Sequence, residues 1–153
     1  MAVYKWKSGA RIKANAQVAG EVCDALAKEG RLTPAELVNV SRDKKAPLHD
    51  AFEWRDKVAA ERYREVQAGH IIRSVEVVMT GTSEPVRAYF PVEAEGGGRH
   101  YSHIEVIMRD ADGRDALLAR ALAELESFKR KYKTLAELAD VFAAIDDALD
   151  GAA

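Results

Sequence analysis

The spacing of apolar residues along this chain changes from a helical period to an alternating one after Gly69 and becomes helical again after about Asp112. A helix places residues i, i+3 and i+4 on one face, whereas a strand places alternate residues on one face. A β region between two helical regions predicts an α+β fold. We expect an N-terminal helical module, then a three-stranded antiparallel sheet packed on a C-terminal two-helix hairpin.

The helical module should contain four helical segments. Thr33 and Pro34 form a start signal for the second segment, and Gly69 is a stop signal for the fourth. The predicted segments are 14–29, 33–42, 47–53 and 56–68. Their order is compatible with a helix-turn-helix.

The β region should form a meander, because its three apolar runs are separated by turn sequences. The predicted strands are 70–80, 86–92 and 99–108, and two helices follow from about Asp112 and from Thr134. We therefore divide the chain into an arm (1–13), a helical module (14–69) and a β-β-β-α-α module (70–153), docked as one compact unit.

Composition limits the class of protein. The chain has 153 residues, of which 48% are hydrophobic and 31% charged, as is typical of a globular protein. A net charge of −2 argues against a uniformly basic nucleic-acid coat. The one cysteine, Cys23, permits no intrachain disulfide. No apolar run is long enough to span a membrane, and residues 1–13 are too polar for a signal peptide, so we expect a cytoplasmic setting.

Three sequence segments together form a recognisable signature: PLHDAFEW, AAERYR and QAGHIIRSV. With the tail LLARALAELESFKRKYKTLAELADVFAAID, they resemble small phage and prophage proteins of unknown function. The resemblance covers most of the chain after about Leu32. It implies the cytoplasm of a bacterial host cell, or a virion, and it assigns no catalytic or binding residue.

Two clusters of basic residues predict nucleic-acid binding. They lie in the arm and at the turn after the second helix, where cations can neutralise phosphates, and Arg55 and Arg62 are the candidates for contacts to bases. The proposed phosphate contacts are Lys5, Lys7, Arg11, Lys13, Arg42, Lys44 and Lys45. The acidic Asp50 and Glu53, which lie nearby, oppose this interpretation. The leading hypothesis is a non-enzymatic, phage-encoded nucleic-acid-binding accessory or regulatory protein.

A protein-interaction module is the alternative: a virion or assembly component, or an inhibitor of a host protein. In the arm, Tyr4 and Trp6 alternate with lysines, so an extended arm has an apolar face that can add to this sheet or to a partner. The last helix is acidic, and its Asp140, Asp146 and Asp147 are candidate partner contacts. Opposite charges on the arm and the last helix make a homo-oligomer a further hypothesis.

An enzyme is the third class. We keep in reserve for this class only His49, Asp50 and Glu53. Two or three such groups do not complete a metal site. Cys23 lies among apolar helical residues and is interpreted as a buried, inert thiol. We therefore predict no enzymatic activity, no cofactor and no metal site.

Overall fold

The structure, a computed structural model, describes residues 2–7 and 9–152. Outside the described residues lie Met1 and Ser8 of the predicted arm and Ala153 of the last predicted module. The fold is α+β, as predicted. By its contacts the chain divides into two compact units, Met1–Val106 (unit 1) and Ile107–Ala153 (unit 2).

The described residues form five strands, six α-helices and two short 3-10 turns, at His49–Ala51 and Ala136–Leu138. The strands are β1 (Val3–Trp6), β2 (Val75–Val78), β3 (Pro85–Arg87), β4 (Tyr89–Glu93) and β5 (Arg99–His103). The helices are α1 (Ala16–Lys28), α2 (Pro34–Val40), α3 (Val58–Ser74), α4 (Ile104–Arg109), α5 (Ala111–Tyr132) and α6 (Ala139–Gly151).

The three-stranded antiparallel sheet has the order β1-β2-β3, so β2 is its central strand. Tyr4 of the arm lies opposite Val77, and Val77 lies opposite Val86. The arm therefore adds to the chain's own sheet, which is the first of the two alternatives above. β4 and β5 form a separate two-stranded hairpin, so the predicted meander of three consecutive strands is wrong.

Side-chain caps explain where α1 and α2 begin. The Asn15 side-chain oxygen accepts hydrogen bonds from the backbone N–H groups of Gln17 and Val18. The Thr33 hydroxyl accepts from the N–H of Glu36 at 3.1 Å, which confirms the predicted start signal. The caps fix where these two helices begin. The buried residues Ala19, Cys23 and Leu37 show which helix faces pack into the core of unit 1.

Gly69 does not end its helix. α3 continues through it to Ser74 and buries Ile71 and Ile72. The Arg73 guanidinium lies 2.9 Å from the place that a Cβ of residue 69 would occupy. The side chain of Arg73 therefore uses the space that the missing Cβ leaves.

The link from α2 to α3 has seventeen residues, from Ser41 to Lys57, and contains only the 3-10 turn His49–Ala51. A helix-turn-helix joins its helices by a turn of about 3–4 residues. The predicted helix 47–53 is thus too short in the structure to act as a recognition helix. Between Ser41 and Ser74 the one long helix is α3.

A cluster of aromatic residues forms the centre of unit 1. Tyr4 is 6% exposed and Tyr89 is fully buried. The Tyr89 hydroxyl donates a hydrogen bond to the Gly20 carbonyl at 3.0 Å, which ties β4 to α1. The His103 ring meets Tyr89 edge-on, with 5.4 Å between ring centroids. The arm and the hairpin are therefore held together through α1.

Unit 2 contains α5 and α6. The Asp110 side chain accepts from the N–H of Gly113 at 2.7 Å and caps α5. Phe142 and Ile145 of α6 are buried, and Lys129 of α5 pairs with Asp146 of α6. Among the helices that the structure describes, none is both long and apolar enough to cross a membrane.

Candidate nucleic-acid interface

A surface pocket of about 430 Å³ lies in unit 1 along one side of α3. Its walls come from three parts of the chain: the end of the arm, the segment around the 3-10 turn, and α3 itself. The lining residues are 11–13, 50–53, Tyr63, Val66, Gln67, His70 and Ile71. We call this the α3 pocket. Its volume lies in the range of about 300–1,000 Å³ that small-molecule sites occupy.

The helical period places the α3 residues of the pocket on one face. Tyr63, Gln67 and His70 stand at positions i, i+4 and i+7. Tyr63 is 58% exposed and Val66 is 63% exposed, although both carry large apolar groups. Exposed aromatic and aliphatic groups around a concave site are typical of binding surfaces.

The segment 50–53 is fixed against α3 by a buried arginine. Arg64 is 1% exposed and donates to the Arg55 carbonyl at 2.9 Å and to the Glu53 carbonyl. Its guanidinium also lies over the Trp54 ring, 5.0 Å from the centroid. The His49 ring stacks on the same Trp54 ring, with 4.8 Å between the two centroids. The pocket wall is therefore rigidly supported.

Two carboxylates line the pocket. Glu53 accepts two hydrogen bonds from the Arg55 guanidinium, at 2.9 and 2.8 Å. These bonds and the backbone N–H of Arg55 lower the pKa of Glu53 to about 2, so the group stays ionised. Asp50 is exposed and forms no ion pair within residues 2–7 and 9–152.

Gln67 contributes an unsatisfied acceptor. Its Oε1 atom is buried and has no hydrogen-bond partner among the described residues. A buried polar atom without a partner costs about 1–3 kcal/mol relative to a paired one.

Of the predicted phosphate contacts, the structure brings Arg11 and Lys13 to the α3 pocket. Both are exposed, and neither forms an ion pair in the part of the chain that the structure describes. Lys5 and Lys7 are exposed on and just after β1 and do not line the pocket. Lys5 lies opposite Glu76 in the sheet.

The three basic residues predicted at the turn after α2 differ in their surroundings. Arg42 donates to Glu61 at 2.7 Å, and Arg55 is paired with Glu53. Lys44 and Lys45 are exposed and do not line the α3 pocket. One of the three turn cations, Arg42, is therefore already paired with a carboxylate.

Arg62 is exposed on α3, and Arg73 lies three turns further along a similar face. Neither arginine forms an ion pair within the described residues. Arg62 and Arg73 are therefore exposed cations on the same helix as the pocket residues, while the lining itself carries two cations and two carboxylates.

Two predicted partner contacts in the arm have structural roles. The Tyr4 ring is buried in unit 1, so it is not available to a partner, contrary to expectation. The Trp6 indole is partly buried and donates to the Ala14 carbonyl at 2.9 Å. Both aromatic rings attach the arm to α1.

In α6, Asp140 and Asp147 are exposed, whereas Asp146 is engaged by Lys129. None of the 22 residues of α5 is buried. Leu118 is 53% exposed and Phe128 is 40% exposed. Unit 2 thus carries exposed apolar groups beside an acidic helix.

Of the residues held in reserve for an enzyme, Asp50 and Glu53 line the α3 pocket and His49 does not. The His49 Nδ1 lies 3.0 Å from the Ser41 carbonyl oxygen, and its ring stacks on Trp54. Glu53 is occupied by Arg55. The described residues contain no group of three side chains placed to hold a metal. Burial raises the pKa of Cys23 to about 12, so the thiol stays protonated.

Sequence reasoning missed Tyr63 and His70 as residues of this pocket. They share a helix face with Gln67 at i, i+4 and i+7, a usable signal that neighbouring charged residues concealed. The position of Arg11 and Lys13 beside them depends on β1 pairing with β2, some seventy residues away in the chain. No protein-family model, curated protein or solved structure matches this chain.

Proposed function

We propose that this chain is a non-enzymatic, phage-encoded accessory or regulatory protein that binds nucleic acid at the α3 pocket. The phage setting is supported by the sequence signature described above. The interface differs from the one that the sequence alone suggested, because it is centred on α3 and the end of the arm.

The single observation that carries this proposal is that Arg11 and Lys13 lie at the same pocket as the exposed Tyr63. Unpaired cations neutralise phosphates, and an exposed aromatic ring offers a surface on which a base can stack. Arg62 extends the row of cations along α3. A mildly acidic protein can therefore present exposed cations and an aromatic ring at one surface, although Asp50 and Glu53 line the same pocket.

The salt dependence of binding tests this proposal. We would measure the anisotropy of dye-labelled oligonucleotides between about 50 and about 200 mM salt. Each lost phosphate contact reduces the slope of log K against log salt by about 0.7–0.9. The double variant Arg11→Ala/Lys13→Ala should therefore flatten the slope by about 1.4–1.8.

The matched control is Lys28→Ala/Arg31→Ala, which removes the same formal charge. Lys28 pairs with Asp24, Arg31 pairs with Glu29 and Glu36, and neither lines the pocket, so the slope should stay close to that of the wild type. Equal flattening by both double variants would show that net charge alone is responsible. Absence of binding at low salt would overturn the proposed function.

A protein-interaction module is the second candidate, and one observation favours it. α5 exposes Leu118, Leu125 and Phe128, all within unit 2. α6 carries four aspartates and no basic residue. Exposed apolar groups beside charges of one sign are typical of surfaces that bind another protein.

A further inference from the structure

Within unit 2, one apolar face of α5 is largely exposed. α5 has 22 residues and α6 has 13, and none of the α5 residues is buried. Four exposed residues follow one another on this face at spacings of three and four: Leu118, Ala121, Leu125 and Phe128. We call them the α5 seam. Their spacing is that of the a and d positions of a heptad repeat, along which two helices pack against each other.

α6 lies along one flank of the α5 seam. Leu122 and Lys129 stand at the e positions of the same heptads, and both are half-buried. Lys129 pairs with Asp146 of α6, and the ring centroids of Phe128 and Phe142 are 6.4 Å apart. The e flank is therefore occupied within the chain, and a further helix can reach the seam from the g flank.

The g flank carries charges of opposite sign. Glu124 and Lys131 stand at successive g positions, and both are exposed. In an antiparallel helix pair a g position faces a g position, so Glu124 of each copy can face Lys131 of the other. In a parallel pair a g position faces an e position, and Lys129 at that position is already held by Asp146. A parallel pair would also place the basic last turns of both α5 helices side by side.

We propose that a second copy of this chain covers the α5 seam, with its own α5 antiparallel to the first. Leu125 of each copy packs against Phe128 of the other, and two reciprocal pairs between Glu124 and Lys131 flank this contact. The same surface is used by both copies, so the assembly closes as a dimer. This inference rests on the second candidate function and names its partner, and it is independent of nucleic-acid binding at the α3 pocket.

Complementary charge reversals test this pairing. Glu124→Lys sets two lysines opposite each other, and Lys131→Glu sets two glutamates opposite each other. Each variant alone should therefore raise the dissociation constant of the dimer by about tenfold. In an equal mixture, a heterodimer of the two variants regains both pairs of opposite charge, so the mixture should dimerise as tightly as the wild type. Sedimentation equilibrium of the full-length proteins at low salt, where exposed charges are least screened, measures these constants.

The matched control is the pair of variants Glu126→Lys and Arg130→Glu. They make the same changes of charge at exposed positions of α5 that lie outside the seam and its e and g flanks. Each control variant should dimerise like the wild type, both alone and in the mixture. Circular dichroism of all four variants checks that their helix content is unchanged.

Three results would contradict this inference. The first is a wild-type protein that stays monomeric, and the second is a mixture that dimerises no more tightly than the single variants. The third is equal weakening by the control variants, which would assign the effect to net charge. None of these results bears on the α3 pocket, because the oligonucleotide titration tests that proposal separately.

Discussion

The buried guanidinium of Arg64 packs over the indole of Trp54, 5.0 Å from the ring centroid, and bonds the backbone on both sides of it. This contact fixes the segment that forms one wall of the α3 pocket. Burial of an arginine is costly unless its donors are satisfied. Here two carbonyls and the Glu61 carboxylate at 3.1 Å satisfy them.

We predict that Arg64→Met lowers the free energy of unfolding of unit 1 by about 3 kcal/mol, because two charge-assisted hydrogen bonds are lost and buried carbonyls lose their donor. Urea unfolding followed by tryptophan fluorescence measures this change, since Trp6 and Trp54 both lie in unit 1. The control Arg62→Met alters an exposed arginine of the same helix and should change stability by no more than about 0.5 kcal/mol. Equal effects of the two substitutions would contradict this role for Arg64.

Sequence reasoning predicted the fold class, the capped start of α2 and the positions of the long helices. It failed at two short apolar runs. The sequence pattern predicts strand at residues 70–74 and 104–108, although alternation and helical spacing both fit so few residues. In the structure the first run continues α3, and the second forms most of α4.

Packing in the folded chain, rather than the local sequence pattern, makes both of these runs helical. Ile104 and Ile107 are buried three residues apart, and Val106 between them is 57% exposed, which is a helical pattern. The candidate site was only partly predictable for the same reason. Charge alone identified Arg11 and Lys13, but their neighbours on α3 follow from a long-range strand pairing that no local pattern encodes.

Two helix-interior glycines should respond oppositely to alanine. At Gly20 a Cβ would lie 2.1 Å from the Tyr4 ring, which is buried and cannot move away. At Gly69 the only close atom is the far end of the flexible Arg73 side chain. Alanine also favours a helix by about 0.5–1 kcal/mol over glycine.

We therefore expect Gly20→Ala to destabilise unit 1 by about 1–3 kcal/mol through overpacking. Gly69→Ala should leave stability unchanged or raise it by up to about 1 kcal/mol. Urea midpoints measured by tryptophan fluorescence compare the two variants directly. Destabilisation of the same size at Gly69 would show that the position of Arg73 matters more than the backbone.

His103 should make stability depend on pH. Its Nδ1 accepts the N–H of Glu105 at the start of α4, and the ring is 7% exposed. Burial lowers the pKa of His103 below its usual value of about 6.5, despite opposing charges on Glu105 and Asp24. Below pH 6.5 the unfolded chain therefore binds a proton that the folded chain does not bind. Stability should fall as the pH falls from about 7 through 6.5 toward the folded-state pKa.

The variant His103→Asn tests this explanation. Asparagine still offers an acceptor to the N–H of Glu105 but does not titrate. The stability of the variant should vary less between about pH 7 and pH 5 than that of the wild type. Urea unfolding at a series of pH values measures the difference. Parallel profiles would assign the pH dependence to other groups.

The exposed apolar side of α5 leads to a prediction about association. Leu118 and Leu125 stand seven residues apart on one face of α5, at 53% and 39% exposure. If that face binds a second copy, the mass measured by light scattering should rise with protein concentration. Leu125→Glu should abolish this rise, because it would bury an unpaired charge in the contact, which is costly. Ala123→Glu adds the same charge to the opposite side of the helix and should leave association intact. A wild-type protein that stays monomeric at every concentration would exclude self-association through α5.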